Sequence, residues 1–280
     1  MKHKASLMAH CVAYFPDARR SLAAARGLAR GGADYLEVQF PFSDPTADGP
    51  AIQTACQSAL ESGFTVDRGF EWIRRLAAEL HTEIHKKAAD QAPPPIFIMS
   101  YANLLVRRGV ERFCREAAEA GAAGLIVPDL LLPEDEGLYA ACRKAGLEPI
   151  PVVSPGISDR RLAAITGGQP EPGHEPSRPE PTGPRPKYLY TTLRSGITGG
   201  RTEVGAGQIA HLQRCRAAGA HVIAGFGIES PEQVQALAPH TDTLVVGSHF
   251  VKQLIELGNG ADQEQVERRL QQGVETLSGL

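Results

Sequence analysis

One short unit recurs along the chain and limits the folds open to it more than any other feature. An Ala-rich helical segment ends at a glycine and is followed by a short aliphatic run, as in REAAEAGAAGLIVPD at 115–129 and RCRAAGAHVIAGFG at 214–227. Glycine is common after the last helical turn, because it adopts the left-handed conformation without steric cost. Runs that are apolar at consecutive positions are typical of strands buried on both faces. The unit therefore predicts alternating helices and parallel strands.

The number of these units favours a closed barrel. Helical patterns separate eight candidate strands, at 6–13, 35–40, 95–99, 124–128, 149–153, 187–192, 221–225 and 242–247. Eight such units in about 250 residues fit a (β/α)8 TIM barrel better than an open doubly wound sheet. We expect an α/β chain with a single barrel domain over 1–280 and an additional helix at 263–277.

A proline-rich segment interrupts the pattern. Residues 169–187 contain seven of the 21 prolines, so they cannot form a packed core and are predicted to be a disordered or polyproline-like insertion. The insertion lies between the helix of the fifth unit and strand six. Segments that precede a strand lie at the end of a barrel opposite its active site, so we expect the insertion to be peripheral.

Composition excludes several classes of function. The net charge of -3 gives no general attraction to nucleic acid or to an anionic membrane. No apolar run approaches the roughly 20 residues that span a bilayer, and the N-terminus lacks a signal-peptide pattern, so we expect a cytoplasmic protein. The five cysteines are scattered without a CxxC pair, which favours neither a zinc site nor a disulfide framework.

Two acidic residues near the second strand are candidates for acid–base chemistry. Glu37 lies within an apolar run, where an ionised carboxylate is costly unless it is used. Asp48 follows, like Asp44, in a loop rich in Pro and Gly. A buried carboxyl gains a pKa suited to general acid–base work. The alternatives are a structural salt bridge for Glu37 and turn or N-cap roles for the aspartates.

Glycine-rich loops follow the last strands. Gly225 and Gly227 precede a helix that is predicted to start at Ser230, with Gln233 completing a capping box. Gly247 and Ser248 precede another helix start. Backbone N–H groups at such positions bind phosphate, and the loops after strands seven and eight are the usual phosphate site of these barrels. A phosphorylated substrate is therefore favoured. The loop within 188–203 is either a surface loop or a mobile lid over an anion.

The stretch after strand two also resembles a known family. The sequence LEVQFPFSDPTADGPAIQTACQSAL at 36–60 is similar to the signature of the tryptophan synthase alpha chain, and further similar motifs follow in order. They are MSYANLL at 99–105, VPDLL at 127–131, RSGITG at 194–199, GFGIESPEQV at 225–234 and VVGSHFVK at 245–252. The resemblance implies a TIM barrel that cleaves indole-3-glycerol phosphate to indole and glyceraldehyde 3-phosphate by a retro-aldol step.

The resemblance also implies roles for individual residues. Glu37 matches the acid–base glutamate, Asp48 the aspartate that accepts the indole N–H, and Tyr190 a tyrosine near the glutamate. The implied indole pocket comprises Tyr101, Met99 and Phe226, and the implied phosphate contacts are Gly199, Gly227, Gly247 and Ser248. No metal or organic cofactor is expected on this chain, because pyridoxal phosphate belongs to the beta chain. The expected partner is that beta chain, in an alpha2-beta2 heterotetramer.

The chain departs from the family pattern at two positions near these residues. His10 stands where a Phe usually lines the indole site, and it is interpreted as a hydrogen-bonded core histidine. Gln39 stands where a Gly usually follows the acid, which leaves the pocket shape and the efficiency open. Two other functions are therefore considered. One is a non-catalytic barrel that acts as an allosteric partner of a beta chain, and the other is a different phosphate-binding barrel enzyme.

Overall fold

The computed structural model describes residues 5–87, 92–130, 135–167, 185–193, 205–225 and 227–278. Within these ranges one sheet contains nine strands, and all of its pairings are parallel. The strands are β1 (Ser6–Val12), β2 (Tyr35–Gln39), β3 (Ile96–Met99), β4 (Gly124–Ile126), β5 (Glu148–Ile150), β6 (Val152–Val153), β7 (Tyr188–Thr192), β8 (His221–Gly225) and β9 (Thr243–Val246).

Strands β5 and β6 close the sheet into a barrel. The spatial order is β5-β4-β3-β2-β1-β9-β8-β7-β6, so these two strands lie at its opposite ends. In the chain they are separated by Pro151 alone, which lacks an N–H for the ladder. They are therefore two halves of one barrel strand, the first paired with β4 and the second with β7. This confirms the predicted (β/α)8 TIM barrel, and the predicted strand six is β7.

Helices follow the strands in the predicted alternation. They are α1 (Ala18–Arg30), α2 (Pro50–Glu61), α3 (Val66–Lys87), α4 (Ala102–Arg108), α5 (Val110–Glu119), α6 (Leu138–Lys144), α7 (Asp159–Thr166), α8 (Ala206–Ala217), α9 (Pro231–Leu237), α10 (Ser248–Leu257) and α11 (Gln263–Ser278), with a short 3-10 turn at Ala238–His240. No helix in the described part of the chain is long and apolar enough to cross a membrane. Most of the predicted insertion, 169–184, lies outside the described residues.

Side-chain alternation divides the apolar residues into two cores. In β1, Leu7 and Ala9 pack in the large core between sheet and helices, whereas Met8 belongs to a smaller cluster inside the barrel. In β2, Leu36 and Val38 likewise belong to the large core. Because successive side chains of a strand point to opposite faces, Glu37 is directed to the barrel interior. Alternation alone therefore places a carboxylate inside the barrel.

Aromatic rings fill the end of the barrel at which the strands begin. Tyr35 stacks on Phe97 with 5.7 Å between ring centroids. Tyr188 packs edge-on against Phe97 at 5.5 Å and against His221 at 5.2 Å. Such contacts add to the free energy gained by burying the rings. This end is packed, so the open end is the one at which the strands finish.

The close contact between α1 and α11 provides a test of how the C-terminal helix packs. A Cβ atom at Gly27 would overlap the backbone carbonyl of Glu267, so Gly27→Ala must displace α11. We expect the free energy of unfolding to fall by about 1–3 kcal/mol, the usual cost of overpacking. Urea unfolding followed by circular dichroism measures it.

Gly207→Ala in α8 is the matched control, because a Cβ atom there has no neighbour within 4 Å. Alanine favours helix over glycine, so this variant should gain up to about 1 kcal/mol. Equal behaviour of the two variants would contradict the assigned packing of α1 on α11.

Candidate active site

One cavity opens at the end of the barrel where the strands finish. It collects residues from β1, β2, β3, β4, β6, β7 and β9 and from loops at the same end of the barrel. Its lining residues are His10, Glu37, Ala47, Asp48, Ile52, Met99, Ile126, Pro128, Val152, Tyr190, Gly227, Ile228, Val245, Gly247 and Ser248. Active sites of TIM barrels occupy this end, so the cavity is the candidate active site.

Glu37 lies on the cavity wall beside His10. The two residues are paired in register on the neighbouring strands β1 and β2, and both side chains are buried. The distance from Glu37 Oε2 to His10 Nδ1 is 3.5 Å, which is longer than a good hydrogen bond. Burial lowers the pKa of His10, but the adjacent Glu37 carboxylate and the charge of Asp48 outweigh burial and hold that pKa above its ordinary value.

Asp48 is held by two side-chain donors. The Gln39 amide donates from Nε2 to Asp48 Oδ2 at 2.7 Å, and the Tyr101 hydroxyl donates to the same oxygen at 2.9 Å. Both donors contact Oδ2, and Asp48 lines the cavity. Burial raises the pKa of Asp48, and the two donors oppose this shift without cancelling it. The carboxylate is therefore oriented by the protein and ready to accept a proton or an N–H.

Tyr190 lies on β7 at the opposite wall. Burial, together with the charges of Glu37 and Asp48, raises the pKa of its hydroxyl well above the ordinary value, so the phenol stays protonated. A Cβ atom at Gly225 would overlap the Tyr190 hydroxyl, so only glycine allows the ring to approach β8 this closely. Close backbone approach thus decides where this phenol lies.

The glycine loops lie at the same cavity. Gly227 has φ +76, in the region that favours glycine, and Gly247 precedes α10, which begins at Ser248. The predicted capping of α9 is confirmed: Ser230 accepts from the N–H of Gln233, whose side chain accepts in return from the N–H of Ser230. Backbone N–H groups and a hydroxyl here suit an anion.

The structure brings together most of the residues singled out in the sequence. The cavity is lined by Glu37, Asp48, Tyr190, Met99, Gly227, Gly247 and Ser248, and Tyr101 contacts it through Asp48. Phe226 and Gly199 lie outside the described residues. The apolar lining residues Ile126, Val152, Ile228 and Val245 were not predicted. Three of them lie in strands that are apolar at consecutive positions, and Ile228 lies in the loop after β8.

The site offers acids, a phenol and amide groups rather than metal ligands. Over the described ranges, no group of three or more His, Cys, Asp or Glu side chains could hold a metal ion. The chemistry supported by the lining residues is proton transfer beside an apolar ring, with an anion at the glycine loops.

Fold and site together define a barrel enzyme with two buried carboxylates and two neighbouring glycine-containing loops of the kind that bind phosphate. The tryptophan synthase alpha chain family model matches residues 1–171 and 182–279. The tryptophan synthase alpha chain of Helicobacter hepaticus is 36% identical over 255 residues, which cover 91% of this chain and 87% of the relative. The chain therefore belongs to the tryptophan synthase alpha chain family, which makes it a lyase of tryptophan biosynthesis and confirms the resemblance.

Solved structures agree with this assignment. A structure of Mycobacterium tuberculosis tryptophan synthase superposes with a TM-score of 0.80 at 27% identity and covers 99% of this chain and 93% of its own. A tryptophan synthase complex from Pyrococcus furiosus superposes with a TM-score of 0.77 at 26% identity, with both chains fully covered (100% each).

Replacing Gln39 tests how Asp48 is held. Gln39→Leu removes a donor to the carboxylate, so the pKa of Asp48 should rise further. When a carboxyl has a higher pKa in the folded protein than in the unfolded chain, it lowers the free energy of unfolding at pH values above its pKa in the unfolded chain. Urea unfolding should therefore show a larger loss at pH 7 than at pH 4, of about 1.5–3 kcal/mol at the higher pH.

Gln53→Leu is the matched control, because Gln53 donates to the backbone carbonyl of Asp48 at 2.8 Å and not to its carboxylate. Its stability loss should be the same at both pH values. A loss from Gln39→Leu that does not change with pH would contradict the assignment.

Proposed function

We propose that this chain cleaves indole-3-glycerol phosphate to indole and glyceraldehyde 3-phosphate by a retro-aldol step. The observation that carries the proposal is that Glu37 and Asp48 line one apolar cavity that also contains Gly227, Gly247 and Ser248. The substrate combines an aromatic ring, a hydroxylated chain and a phosphate, and the cavity offers a complementary group for each. The roles proposed for the individual residues follow from this complementarity.

Glu37 serves as the acid and base. Indole leaves poorly as a carbanion, so its C3 atom must be protonated before the C–C bond breaks. Glu37 donates this proton and then takes the proton of the neighbouring glycerol hydroxyl, which becomes the aldehyde oxygen. Its burial at 3% exposure keeps competing water from the carboxyl.

Asp48 balances the charge that forms on the ring. Protonation at C3 makes the ring nitrogen cationic, and Asp48 Oδ1 accepts the N–H of that ring. Gln39 and Tyr101 fix Oδ2 before substrate arrives, so no reorientation is needed during the reaction. The Tyr190 hydroxyl stays protonated. It contacts the reacting part of the substrate, near Glu37, as a neutral hydrogen-bond donor.

The remaining predicted residues divide between ring and phosphate. Met99, Tyr101 and Phe226 contact the indole ring, and Gly199 with Gly227, Gly247 and Ser248 contacts the phosphate. Ile126 and Val152 extend the apolar wall of the ring pocket. We propose further that residues 1–280 are one barrel domain and that the chain carries no cofactor of its own.

The proposed partner is a tryptophan synthase beta chain, which carries the pyridoxal phosphate, in an alpha2-beta2 assembly in the cytoplasm. The relative solved as a tryptophan synthase complex supports this assembly, because its superposition covers this chain completely. Loops 42–50 and 194–203 would close over the substrate at the interface. Neither nucleic acid nor membrane is a proposed partner.

Removal of the Glu37 acid tests the catalytic assignment. Glu37→Gln keeps the size of the side chain but cannot donate or accept the proton, so turnover should fall at least about 100-fold. Release of glyceraldehyde 3-phosphate from indole-3-glycerol phosphate, coupled to a dehydrogenase, measures it. Glu148→Gln, at the start of β5 and so at the opposite end of the barrel, is the control and should keep normal turnover.

The same assay with and without the beta chain separates the alternatives. Slow turnover alone that rises with the partner supports a catalytic alpha subunit whose loops close on assembly. Tight binding that activates the beta chain, with no cleavage of indole-3-glycerol phosphate in either condition, would instead identify a non-catalytic regulator. Near-normal turnover by Glu37→Gln would show that another group is the acid.

A further inference from the structure

His10 is a titratable side chain of the cavity to which the proposed reaction assigns no role. It lies opposite Glu37 in the register of β1 and β2. The His10 and Glu37 side chains are 6% and 4% exposed, and Nδ1 lies 3.5 Å from Oε2. A Cβ atom at Gly247 would contact the His10 ring at 3.2 Å. The imidazole therefore lies between the proposed acid and the proposed phosphate loop.

The contacts of His10 are not those of a structural core histidine. Among the described residues, the buried His10 Nε2 has no hydrogen-bond partner, and the buried Glu37 Oε2 has only the long 3.5 Å contact with His10 Nδ1. Buried polar atoms that serve only the fold are normally hydrogen-bonded. The expectation of a hydrogen-bonded core histidine agrees with the contact of Nδ1 but does not account for Nε2. Unpaired buried atoms at a cavity indicate a functional use.

The charges around His10 make a retained proton favourable. The charged groups that act on His10 are Glu37 from β2 and Asp48 from the following loop. Tyr190 from β7 lines the same cavity, and Tyr101 after β3 donates to Asp48. Of the described residues in the loops after β8 and β9, the cavity is lined by Gly227, Ile228, Gly247 and Ser248, none of which is titratable. In the described part of the chain, no lysine or arginine lines the cavity. Two buried carboxylates without a cation are costly, and His10 is the group that can supply one.

We propose that His10 and Glu37 hold one proton between them, and that this pair, rather than Glu37 alone, is the acid in the proposed reaction. The sharing of the proton does not depend on the proposed function, whereas the role of the pair as the acid rests on it. Interacting groups of this kind titrate as a pair, with one proton retained over a wider pH range than either group would retain alone.

The proton is conserved through the reaction. The shared proton moves from Glu37 Oε2 to indole C3, where a C–H bond forms, and leaves a carboxylate beside neutral His10. The carboxylate then takes the hydroxyl proton as the C–C bond breaks, and the electron pair of that bond returns to the indole ring. The pair again holds one proton, so no other reactant is needed.

Titration of the imidazole by NMR tests the sharing directly and needs no substrate. His10 is one of nine histidines, and its signals are assigned by triple-resonance NMR, with their loss in His10→Phe as a check. In the native chain the pKa of His10 should lie above its ordinary value of about 6.5. In Glu37→Gln it should fall by at least about one unit, because burial then acts without the carboxylate. Glu148→Gln should leave it unchanged.

The pH profile of cleavage tests the role of the pair. In His10→Phe the alkaline limb of kcat should move to lower pH, because no imidazolium remains to retain the proton, while KM changes little. If KM changed and the alkaline limb of kcat stayed at the same pH, His10 would serve packing or substrate contact, and the proposal would be overturned. An unchanged His10 titration in Glu37→Gln would overturn it as well, even if His10→Phe failed to fold.

The two tests separate this inference from the proposed function. A native chain without cleavage activity, alone or with the beta chain, whose His10 still titrates with Glu37 would refute the proposed reaction and keep the proton-sharing pair. Normal cleavage with an independent His10 would keep the reaction and refute the pair.

Discussion

The continuous ladder of parallel backbone hydrogen bonds is the constraint on which the rest of this structure depends. Once β5 and β6 close the sheet at Pro151, every strand presents alternate side chains to an enclosed interior. That interior is filled by aromatic rings at one end, so polar side chains directed inward near the other end must face a cavity. The position of Glu37 follows from strand register rather than from any contact of its own.

Burial of two carboxylates in this interior determines the rest of the site. Neither Glu37 nor Asp48 has a lysine or arginine beside it among the described cavity residues, so the protein stabilises them with neutral donors and an imidazole. Gln39 and Tyr101 hold one oxygen of Asp48, and His10 faces Glu37. The charges of the two carboxylates raise the pKa of His10, and burial raises the pKa of Asp48 against the effect of its two donors, all in the absence of substrate.

Much of the architecture could be predicted from the sequence, because the signals are local. Glycines at helix ends and consecutive apolar runs predicted strand bounds within about two residues of those observed. Ser230 with Gln233 marked the start of α9. Glu37 was found as a charged residue within an apolar run, and Asp48 and the glycine loops were found from their place after strands. The apolar walls at Ile126 and Val245 were missed, because a buried strand residue has the same appearance on either face.

The sequence by itself determined the element order, the barrel class and which loops carry polar and glycine residues. Only the tertiary structure decided that His10 faces Glu37, that Gln39 reaches Asp48 and that Gly225 admits the Tyr190 ring. In the sequence, His10 and Gln39 were departures from a family pattern, without partners. The physical reason is that each contact joins residues whose distance depends on strand register and barrel closure, which no short stretch of sequence encodes.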